Sequence, residues 1–221
     1  MSDTHDRHLP GLHHQFDTYA QQRESASLGM WVFIAQEIMF FGGLFLAYMI
    51  YRLQNQEAFH AASHTLDIGL GAFNTAVLIG SSLTMALAVR AAQTDRRKLT
   101  AILLIATILL GGVFLGVKVV EYGHKFHEHH VPGPDFHWDG PEDAGRIQMF
   151  FSLYFAMTGL HALHMIIGMG ILAVLTVRAW RGDFSSRNYN LVEGTGLYWH
   201  FVDVIWIFLF PLLYLLGRNL G

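Results

Sequence analysis

The stretch MWVFIAQEIMFFGGLFLAYMIYR, residues 30–52, decides the class of fold. It is almost wholly apolar and aromatic, and it exceeds the roughly 20 residues that a helix needs to cross hydrocarbon. It also carries an acid, Glu37, well inside the apolar run. An unpaired charge there costs about 2.5–3.5 kcal/mol on insertion scales, so Glu37 is expected to face protein or water.

The first span runs from about 28 to 51, and four further segments have the same character, at about 67–90, 99–121, 147–178 and 195–217. The chain of 221 residues is 52% hydrophobic and only 14% charged, well below the roughly 25% charge of a soluble domain. The reading is an all-α, integral membrane bundle of five transmembrane helices. Residues 1–27 form a polar, His-rich tail, and residues 28–221 form the membrane domain. The tail has no apolar core after a basic start, so it does not read as a secretory signal. There are no cysteines, which excludes disulfides and thiolate metal sites. A net charge of -3 gives no footprint for nucleic acid.

Orientation follows from the basic residues of the short loops. With the N-terminus inside, Arg7, Arg23, Arg90, Arg96, Arg97, Lys98, Arg178, Arg181 and Arg187 lie on the inner side. Arg52, Lys118, Lys125, Arg146 and Arg218 lie on the outer side or its flanks. The N-terminus is therefore expected in the cytoplasm and the C-terminus outside. The stretch VPGPDFHWDGPEDAG, residues 131–145, has turn chemistry and should make an ordered outer cap, not a helix. GVFLG, Gly112 to Gly116, is a GxxxG pattern that permits a close helix neighbour.

The polar residues inside the spans point to function. Glu37 lies roughly 14 Å along the first span at 1.5 Å per residue, and Asp203 lies at similar depth in the fifth. His200 and Asp203 share a face at i and i+3. Thr158, His161 and His164 repeat at three-residue spacing in the fourth span. Glu37, His161, His164, His200 and Asp203 would converge if spans one, four and five pack together. Three readings of such a cluster stand open. It is a satisfied polar network that fixes helix register, a proton-responsive site, or a site for zinc or iron. The tract with His5, His8, His13 and His14 and the tract with His124, His127, His129 and His130 read by default as solvated.

Three motifs, taken together, resemble subunit III of the haem–copper oxidases. These are LGMWVFIAQEIMFFGGLFLAYM (28–49), FAMTGLHALHMIIGMG (155–170) and GLYWHFVDVIWIFLFPLLYLL (196–216), in the family's order. The resemblance implies a subunit with no catalytic residue, metal, haem or copper of its own. Haem and copper are then expected in its partners: catalytic subunit I above all, with subunit II and small subunits. Glu37 matches the family's buried, carbodiimide-reactive carboxylate, and His161, His164, His200 and Asp203 match polar motif positions. The implied setting is a bacterial inner membrane, with membrane lipids and bound phospholipid as companions. The chain lacks the first two helices of seven-helix members, which leaves their lipid cleft without its other wall. The implied function is support of proton uptake and stability in a cytochrome c oxidase, towards which a glutamate in span one leans. The equivalent subunit of a quinol oxidase or nitric oxide reductase is the alternative. A stand-alone transporter is a different class.

Overall fold

The computed structural model describes residues 15–16, 18–182, 184 and 189–216. The tract from His5 to His14 lies outside the described residues. Among those described, the elements are all helical: α1 (Tyr19–Gln54), α2 (Gln56–His64), α3 (Ile68–Gln93), α4 (Arg97–His127), α5 (Ala144–Arg181) and α6 (Asn190–Phe210). A π-helical turn, Pro211–Leu215, continues α6. Five helices are long and apolar enough to span a membrane: α1, α3, α4, α5, and α6 with its turn. The first helix begins at Tyr19, inside the stretch read as a polar tail.

Local chemistry sets the ends. Asp67 caps α3, its Oδ1 accepting from the N–H groups of Gly69 at 2.7 Å and Leu70 at 3.2 Å. Asp143 does the same for α5 through Gly145 at 2.8 Å and Arg146 at 3.1 Å. Such a cap contributes about 1 kcal/mol by satisfying donors that the helix cannot. Gly182 ends α5 at φ +82, a left-handed conformation that a side chain would strain. Pro211 lacks an N–H, and the Leu216 N–H reaches back to the Pro211 carbonyl at 3.0 Å. This five-residue step widens the last turn and re-aims Tyr214 inward.

The helices α3 to α6 form the packed body. α3 and α4 make an antiparallel pair tied by the Thr84 and Thr107 hydroxyls at 2.8 Å. α4 lies on α5, and α6 closes against both α3 and α5. α6 carries the largest buried rings. Trp199 donates to Ser81 Oγ at 2.8 Å, and Trp206 donates to Thr75 Oγ1 at 3.0 Å, so each indole has its partner on α3. α1 leans on the outside of this body, against α6 and α5. Only 17% of its apolar window is buried, against 56% for α6.

Two details differ from the sequence reading. Residues 52–66, read as a connection between the first two spans, contain α2, whose Phe59 packs between Tyr48 and Phe150, at 5.4 Å from each ring. The GxxxG glycines do not make the close contact. Gly116 has no neighbour within 4 Å of a Cβ placed there, and Gly112 meets only Met169 at 3.9 Å. The contact falls one residue earlier, at Gly111, where a Cβ would lie 3.0 Å from the Trp199 ring. The α4–α5 connection is, as read, an ordered cap without helix. Its Trp138 indole donates to Glu142 at 3.0 Å, and the His137 N–H reaches the His129 carbonyl at 3.0 Å.

Candidate functional site

Glu37 projects from α1 towards α5 and is buried, at 8% exposure. Its Oε2 lies 3.3 Å from His164 Nε2. That is ion-pair distance, but the atoms are not aligned as a hydrogen bond. The other imidazole nitrogen of His164, Nδ1, lies 2.8 Å from the Leu160 carbonyl. A carbonyl only accepts, so Nδ1 carries a proton. In neutral His164, Nε2 is then a bare acceptor facing a carboxylate, which is also an acceptor. The two groups attract only when the pair carries one further proton. It is held either by the carboxyl or by the imidazole. The Tyr198 hydroxyl donates to the His164 carbonyl at 2.9 Å, and the Phe41 ring lies 5.4 Å from the imidazole.

The remaining candidates do not join this pair by hydrogen bonds. His161 and His164 are about 60° apart around the helix at 3.6 residues per turn. That rotation turns His161 into the body, 5.4 Å from the rings of Phe114 and Trp206, with neither nitrogen hydrogen-bonded. His200 pairs instead with α3, its Nδ1 2.7 Å from Ser82 Oγ. Asp203 is buried, and neither carboxyl oxygen has a hydrogen bond. Thr158 bonds the Tyr122 hydroxyl at 2.6 Å.

A second buried polar cluster stands where the sequence reading placed only an outer-flank lysine. Lys118 and Glu121 of α4 are 3% and 4% exposed. Lys118 Nζ donates to Glu121 Oε2 at 2.9 Å, Tyr154 at 3.0 Å and Tyr214 at 3.2 Å. The Tyr154 hydroxyl donates to Glu121 Oε1 at 2.8 Å, and the Tyr214 hydroxyl donates to the same oxygen. The ammonium also lies 5.0 to 5.9 Å from the ring centres of Tyr122, Tyr154, Trp206 and Tyr214. Opposite charges at i and i+3 inside an apolar helix were the available clue. The box joins α4, α5 and the π-turn through bonds that leave Lys118 and Glu121 paired.

At the helix end nearby, Lys125 Nζ holds the Thr65 carbonyl at 2.9 Å and Glu128 at 2.6 Å. Glu128 also meets His130 Nδ1 at 3.1 Å, and the His130 ring stacks on Phe151 at 5.0 Å. Burial pushes Glu128 up, but Lys125 and His130 outweigh it and hold the carboxyl below its ordinary value. Burial, reinforced by Lys125, pushes the His130 imidazole below its ordinary value. This histidine is packed into the cap, contrary to the solvated reading. Among the described residues no three His, Cys, Asp or Glu gather as metal ligands.

Between α1 and α6 an open groove of about 480 Å³ runs along the body, lined by Trp31, Ile34, Phe41, Phe45, Phe201 and His200 among others. Its walls are almost wholly apolar.

Comparison with known proteins is consistent along nearly the whole chain. The family described as "Cytochrome c oxidase subunit III" matches residues 11–130 and 145–218. A "Probable quinol oxidase subunit 3" of Staphylococcus saprophyticus is 28% identical over 93% of this chain and 98% of its own. Proteins of the same description from Staphylococcus haemolyticus and Staphylococcus aureus are 26% and 28% identical, each over 91% of this chain and 94% of theirs.

Proposed function

The chain belongs to the cytochrome c oxidase subunit III family, and we propose that it serves a terminal oxidase as a non-redox accessory subunit. In this reading it supports proton uptake by catalytic subunit I and prolongs that subunit's working life. Haem and copper reside in the partner subunits. The observation that carries the proton reading is the Glu37–His164 pair, two groups that attract once the pair holds one further proton. Holding the proton keeps the buried pair net neutral, and giving it up leaves one carboxylate charge in hydrocarbon, which favours prompt reprotonation. It lies between α1 and α5, on the part of the bundle with the most uncovered surface.

The test is Glu37→Gln in the purified complex, followed by oxygen turnover, proton uptake and the number of turnovers before inactivation. Slower proton uptake and earlier inactivation are expected, with the subunit still bound. His164→Gln should reproduce the effect, and the double variant should be no worse, because both singles remove the same shared proton. Unchanged turnover, uptake and lifetime in all three would leave the pair a structural contact only.

The electron donor has two readings, each with its own support. The names of the staphylococcal relatives favour a quinol. The glutamate at position 37 favours cytochrome c. Supplying the purified complex with ferrocytochrome c or with a quinol separates them by which one sustains oxygen consumption. The basic inner loops support a bacterial inner membrane setting with the N-terminus in the cytoplasm. Reporter fusions at the two termini test it. The apolar walls of the α1–α6 groove support a phospholipid acyl chain there. Mass spectrometry of the purified complex would detect a retained lipid, and Gly42→Trp should expel it.

A further inference from the structure

α2 carries a feature that the oxidase reading does not use. His60 and His64 stand at i and i+4 on its outer face, half-buried and exposed respectively. Their Nε2 atoms point at each other across 3.3 Å, with ring centres 4.5 Å apart and planes 55° apart. The rings are tilted, so this is no ring stack. The closest approach is nitrogen to nitrogen.

We propose that His60 and His64 are a chelating pair for a divalent transition-metal ion, Zn²⁺ in the first place. Zinc–imidazole bonds are about 2.0–2.1 Å long, so two of them at a tetrahedral angle set their nitrogens about 3.3–3.4 Å apart. The observed separation already has this value. A square-planar ion would need them about 2.8–3.0 Å apart, from the same bond lengths at a right angle. The helix supplies preorganisation. The opposite face of α2 is fixed by Ala58, Phe59 and Ala62, which are buried, and by the Ser63 hydroxyl donating to the His60 carbonyl at 2.8 Å. Both ligands are neutral at the pH of binding, since only an unprotonated nitrogen can ligate. Without metal the same nitrogens share one proton as an ordinary hydrogen bond. With metal, the donor ring carries that proton on Nδ1 instead, so both rings stay neutral and both Nε2 atoms are bare. Among the described residues no third His, Cys, Asp or Glu completes a cluster, so the proposed site is a two-imidazole one.

The experiment is a Zn²⁺ titration of the purified complex by calorimetry, wild type against His60→Gln, His64→Gln and the double variant. Other histidines of the complex also take zinc, so the readout is the difference in stoichiometry. Each single variant and the double should lose the same one equivalent, with the haem spectrum and subunit composition unchanged. Diethyl pyrocarbonate labelling read by mass spectrometry identifies the site directly. Zn²⁺ should protect His60 and His64 together in the wild type. Equal stoichiometry in wild type and double variant, or labelling of both histidines that zinc does not alter, would overturn the proposal.

Discussion

Replacing Lys118 with methionine tests what holds the centre of the bundle. Methionine keeps the length and apolar stem of the lysine and removes the ammonium. Glu121 would stay buried, with two tyrosine hydroxyls but no counter-charge. Removing one partner of a buried ion pair costs about 3–5 kcal/mol, since the survivor is left uncompensated in a low dielectric. At 1.36 kcal/mol per decade, that is about two to nearly four powers of ten in the unfolding equilibrium. Lys118→Met/Glu121→Gln should recover much of it. The glutamine oxygen is neutral and still accepts from Tyr154 and Tyr214, leaving about 1–3 kcal/mol for an amide donor without its partner. Adding the second substitution should therefore return about 2 kcal/mol of what the first removes. Mixed-micelle denaturation of the purified protein reads it by tryptophan fluorescence, because Trp206 lies 5.4 Å from the ammonium. A single variant costing under about 1 kcal/mol would refute the view that this pair binds α4 to α5 and the π-turn.

Further outcomes follow from the packing and the cap. Gly168→Ala would place a Cβ 3.0 Å from both the Tyr198 and Trp199 rings, and Trp199 is held by Ser81, so overpacking should cost about 1–3 kcal/mol in the same denaturation assay. Gly170→Ala, with nothing within 4 Å, is its near-neutral control. The cap should weaken in acid. His130 sits below its ordinary value of 6.5, so the opened cap binds protons first, and stability complete above that pH falls as it drops below it. Glu128, also held below its ordinary 4.5, extends the loss further down. Hydrogen-exchange protection of residues 128–143, corrected for intrinsic rate, should decline from pH 7 to 5, and His130→Phe should remove that phase. Flat protection across this range in the wild type would contradict the arrangement.

The five spans were legible because a spanning helix announces itself in one local quantity, a long apolar run. Glu37 was legible for the same reason, as the exception in such a run. Its partner was not. His161 and His164 are equivalent by spacing, and only the rotation of α5 against α1 separates the one that reaches Glu37 from the one that faces Phe114. The Lys118 box was hidden further, since its hydroxyls come from Tyr154 and Tyr214, on α5 and within a π-turn that no local pattern marks. α2 was missed because its buried face is four small or aromatic residues in a polar stretch. The GxxxG pattern misdirected because small residues at the right spacing do not say which face of the helix is covered.

The loose seating of α1 has a consequence for how the molecule comes apart. α3 to α6 hold one another pairwise, whereas α1 is attached along one side only. Local opening draws on the least-contacted unit first, so α1 is the segment that peels away while the other four stay assembled. Glu37 leaves with it, and His164 remains on the body. The proton-sharing pair is thus a joint between two cooperative units, and its lifetime is that of the weaker one. On gentle heating, the proton role proposed for Glu37 should fade while the helical signal of the protein is still almost intact.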